Sequence, residues 1–394
     1  MKSKIIIIKL FVVSFCINAN AQSTMETVLA NIAKNNKTIL ANTQFWEAQK
    51  LQYKTGLTPN NPTVEYDYLV GTPVGAGNQT DLTVAQSFDF PTAYIKKNQL
   101  AKQQTAQAEF HLTAQRQNIL FDAKKICIQL VYRNKLQTQL RQQKQNTQKL
   151  LNDFQTRLGI GEGNILDVNK AQLQLIEIKK QHQENTTAIA QFIQQLTALN
   201  GGNQITFTDA IYPVVQNIPA FDQLETEYEN ADPLRKILEQ EILITQKEVE
   251  VSKAMWLPKM EAGYHYQGIL GQTYNGIHTG ISIPLWQNKN TVKLQKSKLL
   301  FADLELQDHS NQHYYEIKQL YETYTNLNIT LTEYQTIFAT LNNTTLLNKA
   351  LSLGQISTIE YFMEINYYNI AYNNYLQTEK EYYQAIAELY KYQL

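Results

Sequence analysis

The chain of 394 residues carries 35 basic and 35 acidic side chains, so its formal charge is zero. No long block of either sign stands out, which excludes the electrostatic footprint of a nucleic-acid partner. The length admits two ordinary domains, and the two cysteines, Cys16 and Cys127, supply no disulfide framework.

The chain opens MKSKIIIIKLFVVSFCINANAQ. Lys2 and Lys4, an apolar run from Ile5 to Ile17, then Ala19-Asn20-Ala21 predict a secretory signal peptide over residues 1-21, cleaved before Gln22. The run is shorter than a membrane-spanning helix, and no other stretch is apolar for long enough. Cys16 leaves with the signal, so Cys127 is alone afterwards, and no cysteine follows the cleavage site to take a lipid anchor.

A first structural repeat is expected over 22-200: a helix from Thr24 to Thr55, strands at about 62-71 and 80-90, a long helix from Pro91 to Arg157, and a returning helix from Asn164 to Asn200. Residues 201-220 read as a linker with a short extended piece. A second repeat follows over 221-394: a helix from Asp222 to Met255, strands at about 258-268 and 276-284 joined by a polar loop, a long helix from Pro284 to Leu353, and a last helix from Ser357 to Leu394. Proline and glycine draw this map. No proline falls between Pro91 and Pro213 or after Pro284, and within those tracts glycine is confined to Gly159, Gly161, Gly163, Gly201, Gly202 and Gly354, where helices can stop and reverse. A helix of about 65 residues spans roughly 100 Å.

Duplication rests on two anchors. Pro62 and Pro258 lie 196 positions apart with NPTVEYDYLVG set against LPKMEAGYHYQG, and Pro91 and Pro284 lie 193 apart with SFDFP set against GISIP. In the second hairpin Met260, Ala262, Tyr264 and Tyr266 alternate with Glu261, Gly263, His265 and Gln267, and Ile277, Thr279, Ile281 and Ile283 alternate with His278, Gly280 and Ser282. Period-two strands of about nine residues have the length of tilted membrane-crossing strands. Four strands close no barrel, and an open edge in lipid leaves backbone groups unpaired at several kcal/mol each, so membrane strands here require oligomerisation. The bland alternative is a small soluble sheet capping a helical bundle. Along the second long helix Ile317, Leu320, Tyr324, Leu327, Leu331, Tyr334, Phe338 and Leu341 step by three and four, a seam for a coiled-coil-like partner.

With the duplicated unit, the hairpins at Pro62 and Pro258, the exits FDFP and ISIP, and the reversal motifs GEGNILDVNKAQ from Gly161 and GQISTIEYFMEI from Gly354, the chain resembles the TolC-type outer-membrane efflux proteins. The resemblance implies a mainly α fold with a small β part, assembled as a homotrimer: a twelve-stranded barrel in outer-membrane lipid, continuous with a periplasmic α-helical barrel. It implies a periplasmic adaptor touching Gly161, Glu162, Gly163, Asn164, Gly354, Gln355, Ile356 and Ser357, fed by an inner-membrane transporter. It also implies a pore constriction at Glu360, Met363, Glu364, Asp167 and Ile356, where a ring of carboxylates attracts cations. Two positions depart from the best-known member: its second constriction acid corresponds to Met363, with Glu364 adjacent, and its latch arginine corresponds to Ile356. For Glu360 the alternative is a solvated carboxylate complementing the helix dipole.

His309 and His313 stand four apart beside Asp308, a spacing that suits a metal ion, but HSNQH lacks a zincin glutamate and reads as a solvated helix face. His265 and His278 fall on the polar strand face. The tyrosine-rich tail from Ile365 to Leu394 reads as helix packing. No nucleophile motif, phosphate loop or cofactor fingerprint is found, so the expectation is a non-enzyme without cofactor or bound metal. The expected function is a passive outer-membrane exit channel of a tripartite efflux system, passing small molecules or metal cations. A peptide or protein export duct of the same architecture and a non-channel periplasmic coiled-coil protein stay open as alternatives.

Overall fold

The computed structural model describes residues 24–214, 218–341 and 343–394; the signal peptide expected over 1-21 lies outside them. Helices α1 (Met25–Asn35) and α2 (Lys37–Tyr53) lead into strands β1 (Thr63–Leu69) and β2 (Gln79–Phe88), then α3 (Pro91–Gly159) and α4 (Ile165–Leu199). After a connector come α5 (Phe221–Ala231), α6 (Pro233–Ala254), β3 (Lys259–Ile269), β4 (Gln272–Ser282), α7 (Thr291–Thr340), α8 (Asn343–Ser352) and α9 (Thr358–Leu389). No helix among the described residues is long and apolar enough to cross a membrane.

The four strands form one antiparallel sheet in the order β1-β2-β3-β4, which leaves β1 and β4 as edges. From the end of β2, α3, 69 residues long, carries the chain away from the sheet over roughly 100 Å. Its first half is held by α2, through the stacked rings of Trp46 and His111, and by α6, through Lys96 and Glu250 at 2.8 Å. Its second half pairs with α4, where buried Asn185 donates to the Arg133 carbonyl at 2.9 Å and to Gln137 at 2.8 Å. In the second half of the chain α6 and then α9 lie along α7.

Both leading helices break where a single uninterrupted helix is expected. Asn36 and Asp232 interrupt them in extended backbone and cap the helices that follow: Asn36 accepts from the Ile39 amide at 2.9 Å, and Asp232 from the Leu234 and Arg235 amides at 3.0 and 3.2 Å. Pro233 disfavours helical backbone at the preceding residue, which explains the second break. At the first, the Asn36 side-chain amide donates to the Leu199 carbonyl at 2.7 Å, so the end of α4 meets the α1–α2 junction. The end of α9 meets α5 likewise, with Leu389 packed in one cluster with Leu224, Ile317 and Ile386.

Three further expectations are corrected. The second long helix starts at Thr291 rather than Pro284, because Leu285 to Asn290 fold into turns that end with Asn290 at φ 66°. It also stops at Thr340, with Leu341 extended at φ −79°, ψ 124°. The seam holds from Ile317 to Phe338, with Ile317 and Leu331 buried, whereas Leu341 is exposed. The stretch 201-220 contains no strand among its described residues and is no loose linker: Ile205, Phe207 and Tyr212 are buried against Val28, Leu130 and Leu196. Finally, β3 and β4 meet at a two-residue turn, Leu270 and Gly271 at φ 50° and 78°, so β4 begins at Gln272 and no polar loop separates the strands.

Candidate functional site

The sheet sorts its side chains by register. Val64, Val84, Tyr264 and Ile277 are direct neighbours across the four strands, as are Tyr66, Leu82, Tyr266 and Asn275, so the middle of one face is apolar and aromatic apart from Asn275 on the β4 edge. That face is uncovered: Val64 is 67% and Ile277 87% exposed. On the opposite face lie Glu65, Thr83 and His265 in one row and Asp67, Asp81 and Gln267 in the next. Both strand histidines fall on this polar face, His265 with its Nδ1 2.8 Å from the Thr83 hydroxyl and His278 with its Nε2 2.9 Å from a Glu261 carboxylate oxygen.

The two helix reversals are built alike. After α3, Gly161 takes φ 79° and its amide donates to the Leu158 carbonyl at 3.2 Å, while the Glu162 amide donates to Arg157 at 2.9 Å. After α8, Gly354 takes φ 68°, with the Gly354 amide on Leu351 at 3.1 Å and the Gln355 amide on Ala350 at 2.9 Å. These bonds satisfy the last carbonyls of each helix, and the left-handed residue between them is the one glycine adopts at no cost. Asn164 then opens α4, accepting from the Leu166 amide at 2.9 Å. Ser357 opens α9 with a full capping box: its hydroxyl accepts from the Glu360 amide at 3.2 Å, and its own amide donates to the Glu360 carboxylate at 2.7 Å.

That amide, with the Ser357 hydroxyl, holds the Glu360 carboxyl below its ordinary pKa of 4.5. Glu360 and Glu364 are exposed, as are Ile359 and Met363; Ile356 and Asp167 are half-buried. The two reversals lie side by side, because Leu351 of α8 and Phe362 of α9 pack on the cluster of Leu151, Phe154, Val168, Ala171 and Leu175. All the sequence-selected reversal residues are thus gathered at one end of the molecule, opposite the sheet.

Compared with solved structures, the chain superposes on CusC, whose crystal structures are described in terms of folding and transmembrane channel formation, with a TM-score of 0.78 and 14% identity over 94% of this chain and 92% of that one. It superposes on the Campylobacter jejuni CmeC outer membrane channel at 0.70 and 14%, over 100% and 93%. For the Vibrio cholerae outer membrane protein VceC the values are 0.73 and 12%, over 93% and 94%. The chain has the fold of the TolC-type outer-membrane channels. No family model and no curated protein matches the sequence, so the likeness to this fold is carried by geometry.

Elsewhere in this TolC-type fold the structure revises one expectation. His309 and His313 are not on a solvated face: the His309 Nε2 lies 2.9 Å from the Asp232 carboxylate that caps α6, and the His313 ring sits 4.7 Å from that of Tyr228. Among the described residues no group of three or more histidines, cysteines or carboxylates is arranged to hold a metal ion. The tail tyrosines pack between helices, Tyr372 and Tyr375 on Phe338 at 5.3 and 5.5 Å and Tyr382 on Tyr324 at 5.6 Å. Cys127 is buried and its thiol is pushed up to about 12, chiefly by burial, which makes it an inert packing residue. Sequence reasoning missed the pair of half-buried Lys135 with buried Glu379, whose two carboxylate oxygens stand 2.7 and 2.6 Å from the ammonium and tie α3 to α9. Only the tertiary structure brings those residues together across 244 positions.

Proposed function

We propose that the chain is the outer-membrane exit duct of a tripartite efflux system, a passive conduit built from three copies and carrying no chemistry of its own. The observation that carries this reading is the four-stranded sheet, with an uncovered face whose middle is apolar and aromatic and with two open edges, at one end of a helical bundle roughly 100 Å long. Such a sheet is stable in lipid only when its edges are paired, and three copies supply the twelve strands of the TolC-type barrel. On this reading residues 22-200 and 221-394 are two structural repeats joined by 201-220, and the capped breaks at Asn36 and Asp232, 196 positions apart, are their shared mark.

Glu65, Asp67, Asp81, His265 and His278 then face the lumen, and the tyrosines and valines of the other face meet lipid. At the far end Glu360, Met363, Glu364, Asp167 and Ile356 border the constriction. Gly161 to Asn164 and Gly354 to Ser357 meet a periplasmic adaptor coupled to an inner-membrane transporter. A gate here is closed by apolar contact of Ile356, Ile359 and Met363, since no arginine stands at the latch position. Detergent extraction from the outer-membrane fraction followed by light scattering tests the assembly: a particle of three chains is expected, and a monomer that fractionates with soluble periplasmic proteins would favour the coiled-coil alternative.

A further inference from the structure

Helix α5 is held lightly: Leu224 is its one buried residue, and a turn further on Tyr228 lays its ring 4.7 Å from that of His313 on α7. Two histidines and a carboxylate lie behind that contact. The His309 Nε2 donates to the Asp232 carboxylate at 2.9 Å, and the His313 ring stands 5.5 Å from that of His309. The His313 Nε2 is buried and has no hydrogen-bond partner among the described residues.

The corresponding junction in the first half of the chain is built without a histidine or a carboxylate. Val28, Ile32 and Asn36 stand 196 positions before Leu224, Tyr228 and Asp232, and Leu120 stands 193 before His313, the offsets of the two proline anchors. There Asn36 caps α2 with a neutral amide, and Leu120, 3% exposed, joins Val28 and Ile32 in one cluster. Capping needs no charge at this junction, and packing needs no imidazole.

A neutral imidazole can leave the buried Nε2 as a bare acceptor, whereas a proton makes it a charged donor with no acceptor in reach. Around it α5 presents Glu225 and Glu229, α6 presents Asp232 and Arg235, and α7 presents His309 and Glu316. Beyond Tyr228 stand Tyr392 and Glu388. Asp232 is already engaged by two amides of α6 and by His309, and Glu229 by Arg235. Burial, ahead of the attraction of Asp232 and the repulsion of His309, holds the His313 imidazole below its ordinary 6.5. The packed form therefore takes up this proton at lower pH than an open form does, and it loses stability as pH falls below 6.5.

We infer that His313 is an acid-sensitive clasp on α5: neutral, it lets Tyr228 close on α7; charged, it turns towards the carboxylates of Glu225, Glu229 and Asp232 and releases α5 from α7. The clasp involves neither the sheet nor the reversals, so it stands apart from the duct reading.

Hydrogen exchange of the full detergent-extracted protein at about pH 7 and about pH 5.5, corrected for the intrinsic pH dependence of exchange, tests it. Helix α1 is the internal control, because Leu120 stands where α5 meets a histidine. Opening of α5 is expected to become several-fold more frequent in acid, toward the limit of about eightfold that one proton allows over this interval, while α1 changes by less than about twofold. Equal changes in the two helices overturn the inference. Two variants assign the proton. His313→Leu is expected to abolish the acid response and keep α5 protected, and His309→Gln, which retains a donor for Asp232, to preserve the response. A response that survives His313→Leu, or that disappears in His309→Gln, overturns the assignment to His313. Should either variant fail to fold, the comparison of α5 with α1 in the wild-type protein decides by itself.

Discussion

Glu360 both closes the first turn of α9 and presents its charge to solvent. Because the Ser357 amide is the larger cause of its lowered pKa and the Ser357 hydroxyl the smaller, the carboxylate stays ionised as pH falls through the usual range near 4.5 and is protonated only below it. Stability from this cap follows the same sign, present above the unfolded pKa and lost as pH falls through the folded one. Divalent-cation block in single-channel recordings is therefore expected to be as strong at about pH 5 as at neutrality, to weaken in Glu360→Gln, and to survive Ser357→Ala, which keeps the backbone donor. Block that fades by about pH 5 would contradict the assignment. The Lys135–Glu379 pair makes a separate prediction. Glu379 has only 9% of its side chain exposed, so Lys135→Ala leaves a carboxylate buried without its partner and should cost about 3 kcal/mol, read as a lowered midpoint of thermal helix loss; a loss within about 0.5 kcal/mol, the range of surface substitutions, would refute it.

At the level of elements, the reversals are similar in hydrogen bonding but differ in tightness. A Cβ at Gly163 would overlap the Leu158 amide and the Arg157 carbonyl carbon, backbone atoms that cannot give way, whereas a Cβ at Gly354 meets nothing within 4 Å. Gly163→Ala should therefore open the α3–α4 reversal, and Gly354→Ala should cost only the roughly 1 kcal/mol of a left-handed residue. Hydrogen exchange over residues 157–168 and 350–361 distinguishes them: fast exchange at the first reversal alone is expected, and equal protection in both variants would contradict it. The sequence made α3 legible because no proline or glycine interrupts it before Gly159, and it made both reversals legible through their glycines. It hid the breaks at Asn36 and Leu341, which contain neither residue. At Asn36 a side-chain cap and a tertiary bond to Leu199 decide the matter. The β3–β4 turn was hidden too, since Leu270 in left-handed backbone is not a residue that turn chemistry suggests.

Over the whole molecule, alternation and proline spacing were enough to place a sheet at one end and two reversals at the other. Lys135 with Glu379, which fixes one half of the chain to the other, and His309 with Asp232, within the second half, join residues far apart in sequence and have no local signature. The central claim is that this sheet closes with two other copies into a membrane-spanning duct. Reconstitution of the purified protein into planar bilayers tests it most directly. The account predicts discrete conductance steps with cations favoured over anions; folded, membrane-inserted protein that passes no current would contradict it.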